Sequence, residues 1–264
     1  MNIVKNMFKP RNSSLLNPQS QFIRRWPKAP KIAVFASPGV FSDEYTKRLS
    51  IDLGVPLVSM KQMLETVETH AGHTEEYNHP FFLRVRDMLQ AGDDEGIIRE
   101  KIPLKLLRLS AETQRGFILM DFPMEINEAE MMEEYRGGLN AFVHLSLPME
   151  VQAAVESAKM NCTNCGKVYY DQDVVNQDLE VFIEKFLPSD HGCDECGSKH
   201  FEQKDWNDGS AETELIERQL DYETRKGELL AFYNHHGLLV DCEPRRGYAD
   251  YEKVKRDIQF NCKH

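Results

Sequence analysis

The chain has 264 residues, of which 41% are hydrophobic, enough for one substantial core with inserted subdomains. It contains no apolar run of about 18 residues, so the sequence predicts no transmembrane segment. Its net charge of −11 is unevenly distributed along the chain. Residues 1–42 contain no acid, and the stretch up to Lys31 carries seven basic residues. Subtracting this +7 leaves −18 on the remainder, which argues against a body that binds nucleic acid directly.

The N-terminal arm, residues 1–31, is basic and contains Ser13, Ser14 and four prolines. It resembles a mitochondrial presequence, although the prolines interrupt any long amphipathic helix. The arm therefore predicts a protein on the matrix side of mitochondria, with the presequence either cleaved or retained. A retained arm would dock the chain on protein subunits of a larger complex, or touch nucleic acid or an anionic lipid surface. The alternative is that the arm folds back over its own acidic body.

After Lys31, short apolar runs alternate with amphipathic stretches. Strands are predicted at residues 32–36, 55–58, 116–120, 141–147 and 238–240. Helices are predicted at residues 42–51, 61–69, 81–90, 97–110 (interrupted near Pro103), 128–135, 151–159, 213–234 and 251–258. This alternation predicts an α/β fold: a parallel five-stranded sheet with helices on both faces.

Two Cys-x-x-Cys-Gly knuckles lie in an insertion between the fourth strand and the longest helix. Each knuckle can direct two thiolates at one ion, and the glycine after it permits the tight turn beneath the metal. Together they predict a closed, structural Zn²⁺ site with four ligands: Cys162, Cys165, Cys193 and Cys196. The alternatives are two disulfides or four unrelated thiols. Cys242 and Cys262 are predicted to be free thiols.

The order of several short fragments resembles the adenylate kinase (nucleoside monophosphate kinase) family over nearly everything after Lys31. The fragments are Ala36-Ser-Pro-Gly39, Gly54-Val-Pro-Leu-Val-Ser59, Ala91-Gly92, Arg115-Gly-Phe-Ile-Leu119, Phe122-Pro123, Leu147-Pro148, the cysteine-bearing insertion, Ile216-Glu-Arg-Gln-Leu-Asp-Tyr222 and Val240-Asp241. The resemblance implies a P-loop kinase-like core at residues 32–160 and 211–264. Within this core, residues 60–92 match the helical segment that binds the nucleoside monophosphate. Residues 161–210 match a zinc-bearing lid.

The resemblance also shows that the phosphate-binding loop is degenerate. The family pattern is like G-x-P-G-x-G-K-G-T, whose backbone amides and lysine hold the phosphates. At the matching positions this chain has, in order, Ala36, Ser37, Pro38, Gly39, Val40, Phe41, Ser42, Asp43 and Glu44. A phenyl ring thus replaces a glycine, serine replaces the lysine, and two carboxylates follow.

The acceptor site and the arginines that the resemblance implies are also missing. The acceptor arginine positions hold Glu65 and Met124, the magnesium-orienting aspartate position holds Met120, and the base-reading glutamine position holds Glu128. Asp121 is expected on the opposite face of its strand from Met120. The remaining arginine positions align with Val155, Lys159, Asp208 and Gln219.

These losses predict a pseudoenzyme with no catalytic residues and no bound ATP or Mg²⁺, because phosphoryl transfer depends on positioning and charge neutralisation. Residues 161–214 carry thirteen acids and four lysines, a balance that repels ATP. The sequence therefore predicts a structural subunit of a large mitochondrial assembly. By analogy, respiratory complex I (NADH dehydrogenase) is preferred over the mitochondrial ribosome. The alternative is a divergent, active nucleoside monophosphate kinase.

Overall fold

The computed structural model describes residues 30–110, 112–135, 137–206 and 209–261. The predictions for the N-terminal arm before Pro30, for Asp208 and for Cys262 therefore lie outside the described residues. None of the helices in the described ranges combines the length and apolar content that a bilayer span requires.

The strands and helices alternate along the chain as the sequence predicts. The strands are β1 (Lys31–Ala36), β2 (Leu57–Val58), β3 (Phe117–Leu119), β4 (Ala141–Leu145), β5 (Lys159–Cys162), β6 (Val168–Tyr170), β7 (Val174–Asn176), β8 (Val181–Ile183), β9 (Phe201–Gln203) and β10 (Leu239–Cys242). The helices are α1 (Ser42–Leu53), α2 (Met60–His70), α3 (Pro80–Ala91), α4 (Asp94–Arg99), α5 (Ile102–Leu109), α6 (Ile126–Glu133), α7 (Met149–Ser157), α8 (Ser210–His235) and α9 (Tyr251–Asn261).

The central sheet has five parallel strands in the order β10-β4-β1-β3-β2. Successive residues of its strands are buried on opposite faces: Phe35 and Phe117 belong to one core cluster, and Val34 and Ile118 belong to the other. A strand buried on both faces needs apolar side chains at every position, which explains the continuous apolar runs. The predicted sheet with helices on both faces is confirmed.

One predicted helix is divided in two. The stretch at residues 97–110 contains the end of α4 and all of α5, which are separated at Lys101, a residue in the left-handed conformation (φ 53°). Pro103 does not cause the break. It lies in the first turn of α5, where its missing N–H costs no helical hydrogen bond.

The cysteine-bearing insertion forms its own small antiparallel sheets: β6-β5-β9, and the hairpin β7-β8. Its first strand begins at Lys159. Side chains on β6, β7 and β8 do not form a separate core but join the cluster that packs on one face of the central sheet, namely Tyr170, Val174, Val181 and Ile183. The base of the insertion is therefore anchored to the body by buried apolar contacts.

Candidate functional site

The loop between β1 and α1 is folded against the body of the protein. The Ser37 amide donates to the carbonyl of Leu145, and the Ser37 hydroxyl accepts from the Leu147 amide. Gly39 has φ +82°, and a Cβ there would lie 3.3 Å from the backbone of Gln152 on α7. This close approach, together with the positive φ, explains the glycine.

A buried carboxylate of the chain itself contacts this loop. Glu156, on α7, accepts a hydrogen bond from the Gly39 amide at 2.8 Å. It also pairs with Lys159 at 2.5 Å and with Arg218 on α8 at 3.0 Å. Its side chain is only 6% exposed. Backbone amide, ammonium and guanidinium groups are the donors that bind phosphate, so this cluster is an anion site filled by Glu156.

The charge state of Glu156 follows from its partners. Burial alone would raise the pKa of the Glu156 carboxyl, but Lys159 and Arg218 outweigh burial and lower this pKa from its usual 4.5. The carboxylate is therefore ionised at neutral pH and offsets one of the two positive charges beside it.

Phe41 fills the space next to this cluster. Its ring is 3% exposed and makes an edge contact with Tyr170 of β6, with ring centroids 4.6 Å apart. Its centroid lies 4.9 Å from that of Tyr248, which in turn contacts Phe186 at 4.8 Å. The substituted loop residue thus becomes the centre of an aromatic cluster that joins the insertion to the body.

The first turn of α1 carries the two predicted acids. Asp43 is exposed, while Glu44 forms an ion pair with Arg48 one turn later at 2.7 Å. Carboxylates in a first turn interact favourably with the helix dipole, and so they take the role of a bound anion there. Both acids line a cleft of about 430 Å³ that also includes Met120 and Asp121.

Asp121 has a role that the sequence analysis did not identify. Strand β3 ends at Leu119, so strand alternation does not set the direction of Asp121. The Asp121 carboxylate accepts hydrogen bonds from the Ser59 hydroxyl (2.6 Å), the Met60 amide (2.7 Å) and the Lys61 amide (3.0 Å). The N-terminus of α2 is therefore capped by a carboxylate from the neighbouring strand end.

We expect Asp121→Ala to lower the free energy of unfolding by about 1–3 kcal/mol, because three donors at the start of α2 lose a charged acceptor. Urea unfolding followed by circular dichroism measures this change. Asp87→Ala, which removes an exposed carboxylate paired with its neighbour Arg86, is the matched control and should change stability by less than about 0.5 kcal/mol. Equal effects of the two variants would contradict the capping role.

Two other predicted acceptor-site residues, Glu65 and Glu128, line one cavity without contacting each other in an ion pair or hydrogen bond. Glu128 accepts from the amides of Met124 and Glu125 at the start of α6, and burial raises the pKa of its carboxyl. Glu65 is exposed on α2, 4.0 Å from Lys61. These side chains stabilise helix ends or face solvent.

Residues at the predicted arginine positions likewise make structural contacts. Val155 is buried, and Gln219 donates to the buried Gln152 at 3.1 Å. Arg218, one residue from the predicted position, is the guanidinium that reaches Glu156. Sequence reasoning missed this pair because its members are 62 residues apart.

A buried histidine was also missed. His144 on β4 contacts Asp241 of β10 through Nδ1 at 2.8 Å and the Tyr222 hydroxyl through Nε2 at 2.6 Å. Burial lowers the pKa of His144 despite the opposing effect of Asp241, so the ring stays neutral at pH 7. The signal in the sequence is a single polar residue inside an otherwise apolar strand.

The four predicted cysteines come together at the tip of the insertion. Their sulfur atoms all lie within 4.8 Å of one another; Cys162 and Cys196 are 3.6 Å apart, and Cys165 and Cys193 are 3.5 Å apart. Tetrahedral coordination with metal–sulfur bonds of about 2.3 Å places sulfur atoms about 3.8 Å apart, so the arrangement fits one metal ion such as zinc.

The two knuckles have matching backbones. The Gly166 amide donates to the Cys162 carbonyl, and the Gly197 amide donates to the Cys193 carbonyl. Both glycines have φ near +72° (73° and 72°), a conformation that costs other residues energy. The two glycines therefore make the predicted tight turns after each Cys-x-x-Cys pair.

Comparison with known proteins identifies relatives of this chain. No protein-family model matches the chain. It is 26% identical over 239 residues to the adenylate kinase of Syntrophotalea carbinolica, an alignment that covers 86% of this chain and 96% of the relative. The adenylate kinases of Archaeoglobus fulgidus (26% over 232 residues, 84% and 93%) and Rhizobium rhizogenes (28% over 240 residues, 87% and 97%) are similar to it as well. The chain is related to the adenylate kinases.

This relationship confirms the resemblance that the sequence fragments indicate. The resemblance implies that the β1–α1 loop corresponds to the phosphate-binding loop and the cysteine-bearing insertion to the lid. Glu156 and Phe41 make their contacts at this loop, for which the resemblance implies phosphate binding.

Proposed function

We propose that this chain is a catalytically inactive adenylate kinase relative that serves as a structural subunit. The observation that carries the proposal is the Glu156 carboxylate bound to the Gly39 amide, Lys159 and Arg218. ATP would have to displace an ionised, buried carboxylate before its own phosphates could use these donors. Exposing the two cations to an incoming triphosphate also requires breaking the charged hydrogen bonds of Glu156, each of which contributes about 1.5–3 kcal/mol.

The contacts of the insertion support the same proposal. Phosphoryl transfer in a kinase of this type requires a lid that opens and closes. Here Tyr170 is 1% exposed and packs on Phe41, and Lys47 of α1 forms an ion pair with Glu195 beside the second knuckle. Opening would expose the aromatic cluster to water, at about 25 cal/mol for each Å² of apolar surface. We infer that the insertion is a fixed part of the body.

We propose zinc as the metal of the four cysteines. A set of four thiolates leaves no open position for water or substrate, so the ion stabilises the fold and takes no part in hydrolysis. Sulfur ligands favour zinc over magnesium or calcium, which prefer oxygen.

For the place of action we propose a large assembly on the matrix side of mitochondria. The basic, acid-free N-terminal sequence is the support for this location. Complex I ranks ahead of the mitochondrial ribosome because the acidic body is poorly suited to contact with RNA. Fractionation of native mitochondrial extract by size, followed by mass spectrometry, tests both assignments. Migration as a free monomer would contradict them.

Isothermal titration tests the loss of nucleotide binding. We expect no heat of binding with Mg·ATP, or with a dinucleotide that spans both substrate sites, at ligand concentrations in the millimolar range, because the anion site is already filled. The adenylate kinase of Archaeoglobus fulgidus, titrated identically, is the positive control. Micromolar binding by this chain would contradict the proposal and favour an active, divergent kinase.

A further inference from the structure

A second cavity lies next to the cleft, between α2, α4 and the segment that follows β3. Its volume is about 510 Å³. Its apolar lining includes Leu64, Leu89, Ile98 and Phe122, all of which pack against the hydrophobic core. We call this cavity the acidic groove because of the side chains at its rim.

The rim carries one cation, Lys61. It also carries six carboxylates: Glu65, Glu68, Asp94, Asp121, Glu125 and Glu128. Three of them are used at helix starts: Asp121 caps α2, while Glu125 and Glu128 form the capping box of α6. Glu68 and Asp94 are exposed and form no ion pair with any residue that the structure describes.

An apolar floor with an anionic rim selects the chemistry of its occupant. Phosphates and other anions are repelled, whereas a segment that combines basic and apolar side chains is favoured at both the rim and the floor. The partner must therefore be cationic and amphipathic.

The N-terminal sequence of this chain has that composition. Residues 1–29 contain six lysines and arginines and no acid, interspersed with large apolar residues: Phe8, Leu15, Leu16, Phe22, Ile23 and Trp26. The remainder of the protein is strongly acidic. A charge contrast of this kind between two parts of one chain favours their association.

The length of the N-terminal sequence is sufficient. Residues 1–29 precede β1 at its amino end, while the acidic groove lies beyond the carboxyl ends of β2 and β3. β1 has six residues and spans about 20 Å, whereas 29 extended residues reach about 95 Å. The segment can therefore pass around the sheet and still place a dozen residues in the groove.

We propose that residues 1–29 bind in the acidic groove of the same chain, with basic side chains at the carboxylate rim and apolar side chains on its floor. The proposal goes beyond the structural role above and stands or falls independently of nucleotide binding. It assigns the groove to a peptide ligand of opposite charge to a nucleotide.

Zero-length carbodiimide cross-linking of the full-length chain tests this assignment. The reagent joins lysine amines to carboxylates in contact, and peptide mass spectrometry identifies the joined residues. We expect Lys5, Lys9 or Lys28 to be linked to Glu68, Asp94 or Glu125. An equal mixture of ¹⁴N- and ¹⁵N-labelled protein distinguishes the source of the segment, since links within one chain are never of mixed label.

A charge-reversed groove provides the specific control. The variant combines Glu65→Lys with Glu68→Lys. Both positions are in the last turns of α2, where a positive charge interacts favourably with the helix dipole. In this variant we expect the links to Asp94 and Glu125 to fall to background. The matched pair Glu212→Lys and Glu217→Lys, exposed on α8 and outside the groove, should leave them unchanged.

Three results would overturn the proposal: no links from residues 1–29 to any groove acid, an equal loss of links in both double variants, or links of which about half are of mixed label, the share that random pairing of two copies gives. The last result would place a second copy's N-terminal segment in the groove. Circular dichroism of each variant confirms that the fold is retained before the yields are compared.

Discussion

Cys193→Ser is expected to abolish metal binding and to unfold the tip of the insertion. The serine hydroxyl is not a thiolate, and the three remaining sulfurs cannot complete a closed tetrahedral site. The apparent free energy of a structural Zn²⁺ site is about 10–16 kcal/mol at pH 7, comparable to the entire stability of a domain, which is about 5–15 kcal/mol. The three-stranded sheet of β5, β6 and β9 has a small core of its own, formed around Cys162, Tyr169 and Cys193. Without the metal, this core is too small to hold the knuckles together.

The expected measurements are a fall from one zinc per chain to none, by plasma mass spectrometry, and a lower Tm. Amide hydrogen exchange should show loss of protection in β5 and β9, and retained protection in β1 and β4, whose strands lie in the central sheet. Cys242→Ser is the matched control, since Cys242 is buried in β10 and far from the cluster in sequence. It should keep one zinc per chain. One zinc retained in the Cys193→Ser protein would exclude this ligand set.

The four-cysteine cluster shows which features the sequence alone could predict. Cys162 and Cys165 are brought together by two intervening residues, and Cys193 and Cys196 repeat the pattern, so local spacing alone identifies the site. The same holds for strands such as residues 117–119, whose continuous apolar run requires burial on both faces. In each case the determining information lies within a few residues.

The role of Glu156, in contrast, could not be predicted from the residues around it in the sequence. It occurs in an ordinary helical stretch, and its meaning depends on Gly39, 117 residues earlier, and on Arg218, 62 residues later. The substitutions at Phe41 and Ser42 predict that a phosphate site is lost, because the family pattern is local. They did not show what replaced it, since only the folded chain brings α7 and α8 to the β1–α1 loop.

Removing this carboxylate is expected to open a site for an external anion. In Glu156→Ala, the Gly39 amide, Lys159 and Arg218 lose their common acceptor. Because Lys159 and Arg218 are partly exposed (22% and 42%), water solvates them in the variant, and the expected loss is about 1.5–3 kcal/mol. For a chain of this size each kcal/mol corresponds to about 2–4 °C in Tm, so we expect a decrease of about 3–12 °C in anion-free buffer.

Pyrophosphate should reverse part of this loss, because it supplies the missing negative charge to the same donors. A ligand at 100 times its Kd adds about 2.7 kcal/mol to the stability of the folded state. We therefore expect the Tm of Glu156→Ala to rise by about 5–11 °C at saturating pyrophosphate. The unsubstituted chain should show no such increase. Differential scanning calorimetry across a pyrophosphate series measures both effects.

Glu150→Ala separates a specific site from a general effect of charge. Glu150 is exposed on the same helix, so its removal changes the net charge equally but leaves the cluster intact. It should alter Tm by no more than about 2 °C and create no response to pyrophosphate. If both variants respond alike, the anion acts on the protein as a whole and Glu156 does not fill a phosphate site. If Glu156→Ala alone responds, the chain retains the donors of a phosphate-binding loop and blocks them with its own carboxylate.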